Sequence, residues 1–351
     1  MPVPELLHKL LTAPGPSGYE TAPAAIWREA ASAFAEVSGD ALGSSVARVP
    51  GTTDGPSLAV LGHIDEIGLM ATHVDDDGFI SVLQVGGVRP EVLLGQRVEI
   101  VTRSGRLPGV VGRKWAKPRR STEKLELEHG DLHVDVGAGS REEALGLLQI
   151  GDVAVVAGEP VELAAGRIAS RSLDNRLGAY VALEAARRVA EAGGAPGDVF
   201  AVAAVQEEVG DFGGARTSVF ALEPNVALAV DVTGATDIPD GDPKLDGEAK
   251  LGGGPIVNRG STINPKVFEL LVETAEAEGI GYTVNVSAGD THTDMDAAYA
   301  SRAGVATGLI SLATRYIHTP GEVVSLDDVE ATIRLVAAFA QRLEPGLDFT
   351  R

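Results

Sequence analysis

The second half of the chain alternates between two patterns, and this alternation constrains the fold more than any other feature. Apolar runs typical of strands buried on both faces are separated by amphipathic segments with helical periodicity. The strand patterns span 198–209, 225–233 and 305–314, and the helical patterns span 178–194, 264–280 and 326–343. Strands and helices in alternation form a mostly parallel sheet with helices on its faces. We therefore predict an α/β fold, with a three-layer α/β/α domain around such a sheet.

The first half of the chain follows a different plan. Residues 5–36 have a helical pattern that is broken by the stretch "APGPSG". Further along, short β-branched segments separated by glycine turns are typical of an all-β module. A chain of 351 residues is also longer than one hydrophobic core usually grows. We expect residues 1–67 and 162–351 to form one domain, and residues 68–161 to form a β-rich domain inserted into it.

The composition limits the partners and the compartment. Asp and Glu outnumber Lys and Arg by 50 to 29, which gives a formal net charge of −21 and argues against nucleic acid as a partner. The stretch "RKWAKPRR" at 113–120 is a local exception, which we interpret as a solvated loop or an interface. The chain has no cysteine, no signal-peptide pattern at its start and no apolar run long enough to cross a bilayer. We therefore predict a soluble, cytoplasmic protein without a membrane partner.

Histidines and carboxylates follow the ends of the buried strands or stand at the mouth of a helix. Because open α/β sheets form their binding crevice at the carboxyl ends of the strands, we expect these side chains to meet at one sheet edge. They are His63, Asp65, Asp174, Glu207, Glu208, Asp231 and His318. Two imidazoles and several carboxylates make a mixed nitrogen and oxygen ligand set, which suits zinc, cobalt or manganese.

Taken singly, three of these residues have ordinary structural interpretations. Asp174 could cap a helix, Asp231 could be a turn residue at a strand end, and His63 could be a hydrogen-bonded core histidine. Their combination with the other side chains is what favours a metal site.

Other motifs are absent or weak. The chain has no Gly-x-Ser-x-Gly elbow, no Walker A loop and no Gly-x-Gly-x-x-Gly after its first strand, which weakens the serine hydrolase, P-loop and dinucleotide-binding alternatives. The stretch "VDDDGF" at 74–79 resembles the start of a calcium loop but lacks the later glutamate, so we predict a hairpin turn. His129 and His133 have the spacing of a helical zinc pair, but the alternation around them predicts a hairpin instead.

Six stretches carry a resemblance to a known family, and they occur in its order: "GHIDEIG", "SLDNRLGAY", "QEEVGDFGG", "VDVTGATD", "KLGGGP" and "TRYIHTPGEVVSLDD". They resemble the tetrahedral (TET) aminopeptidase family, which includes glutamyl and deblocking aminopeptidases and proteins labelled cellulase M. The resemblance runs nearly end to end. It implies a dinuclear metallopeptidase domain at 1–67 and 162–351, and an inserted dimerisation domain at 68–161 that is PDZ-like or a barrel.

The resemblance implies a ligand set for two divalent metal ions per subunit, with zinc or cobalt favoured over manganese. His63 and Asp231 would bind one ion, Glu208 and His318 would bind the other, and Asp174 would bridge them. Two ions about 3.5 to 4 Å apart can share a water and lower its pKa.

The resemblance also implies roles in catalysis. Glu207 would be the general base, which takes a proton from the attacking water and returns it to the leaving amine. Asp65 would accept the second ring N–H of His63 and fix its tautomer. Enzymes of this type often have a cis peptide bond after the bridging aspartate, which here is the bond between Asp174 and Asn175.

We therefore predict a metal-dependent aminopeptidase that removes N-terminal residues from peptides. The resemblance implies a homo-oligomer built from dimers, with a tetrahedral dodecamer as one form. Two alternatives remain open: a glycoside hydrolase of the endoglucanase type, as the cellulase label suggests, and a non-enzymatic self-assembling binding protein.

The chain departs from the family at two places. The stretch "AKPRRS" at 116–121 stands where other members often carry a Pro-Pro-His stretch. A divergent form of the family's Gly-Gly-Thr-Asp turn has Thr293 and Asp294 in the matching positions, with an additional histidine, His292, beside them. We predict that His292 is a pocket or surface residue and not a sixth ligand.

Overall fold

A computed structural model describes residues 2–114 and 127–351 of the chain. Most of the basic stretch 113–120 and the whole of the divergent stretch 116–121 lie outside the described residues. The helices are α1 (Glu5–Thr12), α2 (Thr21–Ala31), α3 (Pro90–Leu93), α4 (Arg141–Leu147), α5 (Leu173–Glu191), α6 (Gly213–Leu222), α7 (Pro243–Asp246), α8 (Pro265–Ala277), α9 (Met295–Ala298) and α10 (Leu326–Gln341). Among the described residues, none of these helices is long and apolar enough to cross a membrane.

The strands form one main sheet, a small three-stranded sheet and a barrel. They are β1 (Glu36–Gly39), β2 (Ser45–Val49), β3 (Leu58–His63), β4 (Gly68–Val74), β5 (Ile80–Val85), β6 (Arg97–Thr102), β7 (Gly105–Arg113), β8 (Leu132–Asp135), β9 (Val153–Val156), β10 (Val161–Glu162), β11 (Arg167–Ser170), β12 (Val199–Ala204), β13 (Val226–Gly234), β14 (Ile256–Gly260), β15 (Thr283–Ser287), β16 (Ala306–Thr314) and β17 (Glu322–Ser325).

The main sheet has eight strands in the order β1-β2-β12-β3-β13-β16-β14-β15. Its four central strands, β12, β3, β13 and β16, run parallel to one another, while β2 and β14 join them in antiparallel orientation. Every residue of β3 and β12 is buried, as expected for apolar strands that are covered on both faces. The predicted α/β fold with a mostly parallel sheet is confirmed.

Helices cover both faces of the main sheet. On one face, α1, α2, α5, α8 and α10 share a core with Leu58 and Val60 of β3. On the other face, α6 and α9 share a core with Ala59 and Leu61 of the same strand. Successive side chains of a strand point to opposite faces, so β3 contributes to both cores. The domain therefore has three layers.

The segment inserted after β3 forms a closed barrel, with strands in the order β4-β5-β8-β7-β6-β9. The barrel has its own apolar core, which includes Val74, Ile80 and Val134. The chain enters the barrel through β4 and leaves it through β9, and these two strands pair with each other, with Leu69 opposite Ala154. Of the two forms expected for the insertion, PDZ-like or barrel, the described strands form the barrel.

The helical pattern at 5–36 needs correction. It corresponds to two helices, α1 and α2, and its last residue begins β1. The break falls at Pro14 and Pro16, because proline lacks the N–H that continues a helix and its ring clashes with the preceding turn.

Two local predictions concern the barrel. The turn at 74–79 closes the hairpin between β4 and β5, as predicted, and Asp75 stabilises it by accepting main-chain N–H groups within the turn. The first strand of the hairpin predicted around His129 and His133 lies partly outside the described residues. The residues described there form a 3-10 turn at His129–Asp131 and strand β8. These two histidines do not share a helix face, and the ring of His133 stacks edge-on with Phe79.

Candidate metal site

All seven side chains singled out in the sequence lie at one edge of the main sheet. The four central strands are parallel and end at this edge, and α5 begins there, so the turns that follow the strands converge. The seven are His63 and Asp65 at the end of β3, Asp174 at the start of α5, Glu207 and Glu208 after β12, Asp231 in β13, and His318 after β16.

Asp174 lies between the two histidines and contacts each through a different oxygen. Its Oδ1 is 3.1 Å from Nε2 of His63, and its Oδ2 is 3.3 Å from Nε2 of His318. Asp231 lies on the first side, with Oδ1 3.9 Å from Nε2 of His63, and Glu208 lies on the second, with Oε2 3.4 Å from Nε2 of His318. The result is two groups of three potential ligands that share Asp174, with the ligand atoms of each group within 4.8 Å of one another.

The main chain around Asp174 is irregular although it lies at the start of a helix. The peptide bond between Asp174 and Asn175 is cis, as expected, and both residues have non-helical φ and ψ angles. The side chain of Asn175 holds this segment: its Nδ2 donates to the carbonyl oxygen of Val230 at 2.8 Å, and its Oδ1 accepts the N–H of Gly178 at 2.8 Å. The start of α5 is thereby tied to β13.

A glycine contact lets α5 lie directly against β3. A Cβ atom on Gly62 would lie 2.1 Å from the carbonyl carbon of Gly178, which is closer than any side chain allows. Gly62 precedes His63, and Gly178 lies about one turn after Asp174. This close approach brings the carboxylate of Asp174 to the imidazole of His63.

Asp65 is buried and holds two segments of the site in place. Its Oδ1 accepts the main-chain N–H of Glu207 at 3.2 Å, and its Oδ2 accepts that of Glu208 at 3.1 Å. The same Oδ1 lies 3.4 Å from Nδ1 of His63, and the hydroxyl of Ser17 donates to Oδ2 at 2.5 Å. Asp65 thus lies beside Nδ1 of His63, which has no hydrogen-bond partner among the described residues, and it also holds the turn after β12.

The barrel also reaches this site. Gly87, in the turn after β5, lies against the ring of His318, and a Cβ atom at this position would be 2.7 Å from Nδ1. The inserted segment therefore forms part of the wall around one of the candidate ligands.

Burial and crowded negative charge raise the pKa values of several carboxyls. Burial, reinforced by the charges of Asp231, Asp294 and Glu208, raises the pKa of Glu207 to about 10 against the opposing effect of His63. Burial is also the main cause that raises the pKa of Glu208, and it raises that of Asp231 well above its usual range. These carboxyls lack enough positive charge around them.

His318 and Asp174 shift in opposite directions. Hydrogen bonds to Asp174 and Glu208 raise the pKa of His318 to about 11. Burial acts against the charged form of Asp174, but hydrogen bonds from His318 and His63 outweigh it and lower the pKa of this carboxyl. The imidazolium charges are thus the positive charge that the described residues supply to the cluster.

The donor set fits divalent cations. Four carboxyl groups, those of Asp174, Asp231, Glu207 and Glu208, face two imidazoles, so with all four ionised the negative charge exceeds the positive charge even when both histidines are protonated. Oε1 of Glu208 is buried and has no hydrogen-bond partner among the described residues, which leaves it available to a cation. Imidazole nitrogens and carboxylate oxygens together suit zinc, cobalt or manganese.

An open cleft with a volume of about 410 Å³ gives access to the candidate ligands. Its other walls include Phe212, Val232, Ile317 and His292. His292 is exposed, and its main-chain N–H donates to Asp296 at 2.8 Å. It belongs to neither of the two ligand groups found among the described residues, so its position is that of a pocket residue.

Two buried side chains of the site had no counterpart in the sequence analysis. Ser17 supports Asp65, and the carboxylate of Glu322 accepts the main-chain N–H groups of Asp174 and His318. Glu322 lies within one of the stretches that carry the family resemblance, "TRYIHTPGEVVSLDD". Ser17 is buried through a bond to a distant carboxylate and Glu322 through bonds to main-chain N–H groups, and neither kind of contact leaves a periodic pattern in the sequence.

Comparison with known proteins places the chain in a family. The model of the family described as M42 glutamyl aminopeptidase matches residues 43–335. The lysyl aminopeptidase of Pyrococcus furiosus is 37% identical over 354 residues, which cover 99% of each chain. The crystal structure of a TET aminopeptidase from a marine sediment archaeon of the Thaumarchaeota has a TM-score of 0.91 and 33% identity over 97% of each chain. A TET peptidase of Pyrococcus horikoshii, which can assemble into a tetrahedron or a large octahedral shell, has a TM-score of 0.84 and 30% identity, over 96% of this chain and 99% of its own. The chain belongs to the M42 glutamyl aminopeptidase family.

Proposed function

We propose that this protein is a metal-dependent aminopeptidase that removes N-terminal residues from peptides. The observation that carries the proposal is the sharing of Asp174 between two groups of potential ligands beside an open cleft. One carboxylate with an oxygen in each group is the arrangement that a pair of neighbouring cations needs. Membership of an aminopeptidase family supports the same reaction.

The proposed ligands divide into two sets. His63 and Asp231 would hold one divalent cation, Glu208 and His318 would hold the other, and Asp174 would contribute to both. The chemistry of the donors favours zinc or cobalt, with manganese as the alternative. Two such ions, when bound, lower the pKa of a water molecule and polarise the carbonyl group of the substrate.

Glu207 is the proposed general base. Its carboxylate lines the cleft and its Oε2 lies 3.7 Å from Nε2 of His63, so it is next to the ligands without belonging to either group. Charge compensation of Asp231 and Glu208 would remove two of the causes that raise its pKa. Glu207 could then accept a proton from water near neutral pH and return it to the leaving amine.

Asp65 is the proposed support for this chemistry. Its contact with Nδ1 of His63 fixes which ring nitrogen faces Asp174, and its hydrogen bonds from the N–H groups of Glu207 and Glu208 fix the turn that carries both glutamates. A general base must lie within hydrogen-bond reach of the proton it takes, so a rigid turn favours the reaction.

The proposed assembly is a homo-oligomer built from dimers. We assign residues 68–161 to dimerisation and residues 1–67 and 162–351 to catalysis. The separate core of the barrel supports this division. The tetrahedral and octahedral assemblies of the Pyrococcus horikoshii relative support a large closed shell, such as a tetrahedral dodecamer.

Metal analysis combined with a substrate panel tests the proposed function. The purified protein is assayed for bound metals and for hydrolysis of aminoacyl amides and a soluble cellulose, before and after exhaustive chelation and after addition of cobalt or zinc. We expect hydrolysis of aminoacyl amides that chelation abolishes and either metal restores. Cellulose hydrolysis would instead support the glycoside hydrolase alternative, and inactivity on both would support the non-enzymatic one. Full peptidase activity in metal-free protein would contradict the proposed mechanism.

A further inference from the structure

Glu322 connects the two main-chain segments that carry Asp174 and His318. Its Oε2 accepts the N–H of Asp174 at 3.1 Å, and its Oε1 accepts the N–H of His318 at 3.0 Å. The side chain is buried, with an exposed fraction of 2% for the residue. One carboxylate therefore holds the main chain of two candidate ligands that lie far apart in the sequence.

Neither of these segments is fixed by regular structure at its ligand. Asp174 has a non-helical conformation at the start of α5, and His318 has a φ of +60°, in the left-handed region that residues with a Cβ atom rarely adopt. Their N–H groups do not take part in a helix or a sheet and need another acceptor. Glu322 supplies it to both.

The main chain of Glu322 is itself anchored beside Asp174. Glu322 is the first residue of β17 and pairs with Ser170 at the end of β11, four residues before Asp174. The pairing of β11 with β17 fixes the distance between these two strands. The side chain of Glu322 then binds the main-chain N–H groups of Asp174 and His318. The three-stranded sheet β10-β11-β17 thus holds Glu322 next to the site.

A carboxylate is required for this double contact. Both of its oxygens accept hydrogen bonds, whereas the amide of glutamine has one accepting oxygen and one NH2 group that can only donate. Replacement of Glu322 by glutamine would keep the shape of the side chain and turn the NH2 group toward one of the two N–H donors. The substitution therefore removes one contact and leaves a buried N–H without an acceptor.

We infer that Glu322 is a positioning residue that sets the distance and orientation between the shared ligand Asp174 and the ligand His318, and thereby the affinity of the site for its cations. This inference rests on the proposed function. Glu322 acts through the main chain and is not among the residues that line the cleft, so we do not assign it a catalytic role.

Asp328 offers a matched control. It is buried, with an exposed fraction of 1%, and its two oxygens accept the N–H groups of Gly252 at 2.7 Å and Gly254 at 2.8 Å. Neither of these glycines carries a candidate ligand. Asp328→Asn therefore removes the same kind of contact from the same domain without touching the site.

Titration of metal-free protein with Co²⁺, followed by visible absorption and by calorimetry, tests the inference. We expect Glu322→Gln to weaken Co²⁺ binding about 10- to 100-fold, as is typical when a partner of a metal ligand is lost, and to change the Co²⁺ absorption spectrum. Asp328→Asn should lower the melting temperature but leave the Co²⁺ affinity within about two-fold of the wild type. With saturating Co²⁺, Glu322→Gln should recover part of its kcat at an almost unchanged KM.

Two results would overturn the inference: Co²⁺ binding by Glu322→Gln that equals the wild type, or equal weakening in Glu322→Gln and Asp328→Asn. If Glu322→Gln does not fold, Glu322→Asp takes its place, because its shorter side chain keeps two acceptors that cannot reach both N–H groups. If the wild-type protein binds no Co²⁺, the proposed function itself is refuted. This result is separate from a failure of the inference about Glu322, because it is measured on the wild type alone.

Discussion

Glu207 and Glu208 are neighbours in the chain, yet their carboxylates face different histidines. Oε2 of Glu207 lies 3.7 Å from Nε2 of His63, whereas Oε2 of Glu208 lies 3.4 Å from Nε2 of His318. Asp65 holds the main-chain N–H groups of both residues, so the two side chains leave one rigid turn in different directions. Identical side chains therefore have separate tasks in the proposed mechanism.

Substitution of each glutamate by glutamine should separate these tasks. Glu207→Gln should keep both metals and lose about 100- to 10,000-fold in kcat, because the amide cannot accept the proton. Glu208→Gln should lose affinity for one metal, because a neutral amide is a poorer ligand, and excess metal should partly restore its activity. Metal titration with initial-rate assays on both variants checks this. Loss of metal by Glu207→Gln, with two metals retained in an inactive Glu208→Gln, would mean that the roles are reversed.

Substitution of the shared aspartate should affect more metal than substitution of an unshared one. Asp174→Asn should reduce the affinity for both ions, since each ligand group loses a carboxylate oxygen, whereas Asp231→Asn should reduce the affinity for one. Wild-type protein at a free metal concentration of 100 times Kd should gain about 2.7 kcal/mol of stability per site. Calorimetric titration and thermal melts measure both effects. Retention of one tight site in Asp174→Asn would argue against a shared ligand.

Addition of a methyl group at Gly87 should disturb His318. The new Cβ would lie 2.7 Å from Nδ1, so the imidazole must move, and overpacking of this kind costs about 1 to 3 kcal/mol. We expect Gly87→Ala to weaken metal binding at the His318 side. Gly146→Ala in α4 is the control from the same barrel, because nothing lies within 4 Å of a Cβ there and alanine favours a helix. Normal metal binding by Gly87→Ala would show that the barrel does not constrain His318.

The stability of the metal-free protein should depend on the ionisation of Glu20. This residue is buried, and its Oε1 accepts the N–H groups of Gly18 and Gln206. Burial is the main cause that raises its pKa from 4.5 to about 7. The folded state then binds the proton more tightly than the unfolded chain, so stability falls as the pH rises from about 4.5 to 7.

Glu20→Gln does not titrate and keeps an accepting oxygen, so it should flatten this part of the profile and be more stable than the wild type near pH 7.5. Urea unfolding at pH 4.5 and 7.5, at one protein concentration, measures the difference. Glu344→Gln, at an exposed position, should retain the wild-type profile. Parallel profiles for Glu20→Gln and the wild type would show that Glu20 does not contribute.

The size of the particle in solution tests the proposed assembly. The chain has a mass of 36.2 kDa, so a dodecamer would have a mass of about 430 kDa. We expect light scattering after size-exclusion chromatography to show a species much larger than a dimer, which dissociates through dimers on dilution or at extreme pH. A monomer at micromolar concentration would contradict the role assigned to residues 68–161.

The positions of the site residues at strand ends were predictable because two signals coincide there. An apolar run marks a buried strand, and a polar residue ends the run: His63 is the last residue of β3, and Asp231 lies within β13, three residues before its end. Parallel strands end at the same edge, so the pattern also predicts that these residues meet. Which of these residues lie next to one another depends on atomic distances that the sequence does not contain. Before the structure, the assignment of neighbours rested on the family resemblance.

Other features depend on contacts that no local pattern records. Strands β2 and β14 have only five residues each and are stable because they pair with longer neighbours, so tertiary packing decides their conformation. Ser17, Glu20 and Glu322 are polar residues, and residues of these types are usually exposed. Each is buried because main-chain N–H groups or another carboxylate satisfy it, and at least one partner of each lies far away in the chain: Asp65 for Ser17, Gln206 for Glu20 and Asp174 for Glu322.

The pairing of β4 with β9 has a consequence for how such a protein can change over evolutionary time. The two ends of the insertion lie one strand spacing apart, about 5 Å, and the cost in chain entropy of closing a loop grows only with the logarithm of its length. His63 and Asp174, on either side of the insertion, can therefore meet almost as if a short turn joined them. A lineage could exchange the barrel for another module with adjacent ends and acquire a new quaternary architecture while the hydrolytic chemistry is inherited intact. The contact of Gly87 with His318 is what any replacement module would have to reproduce.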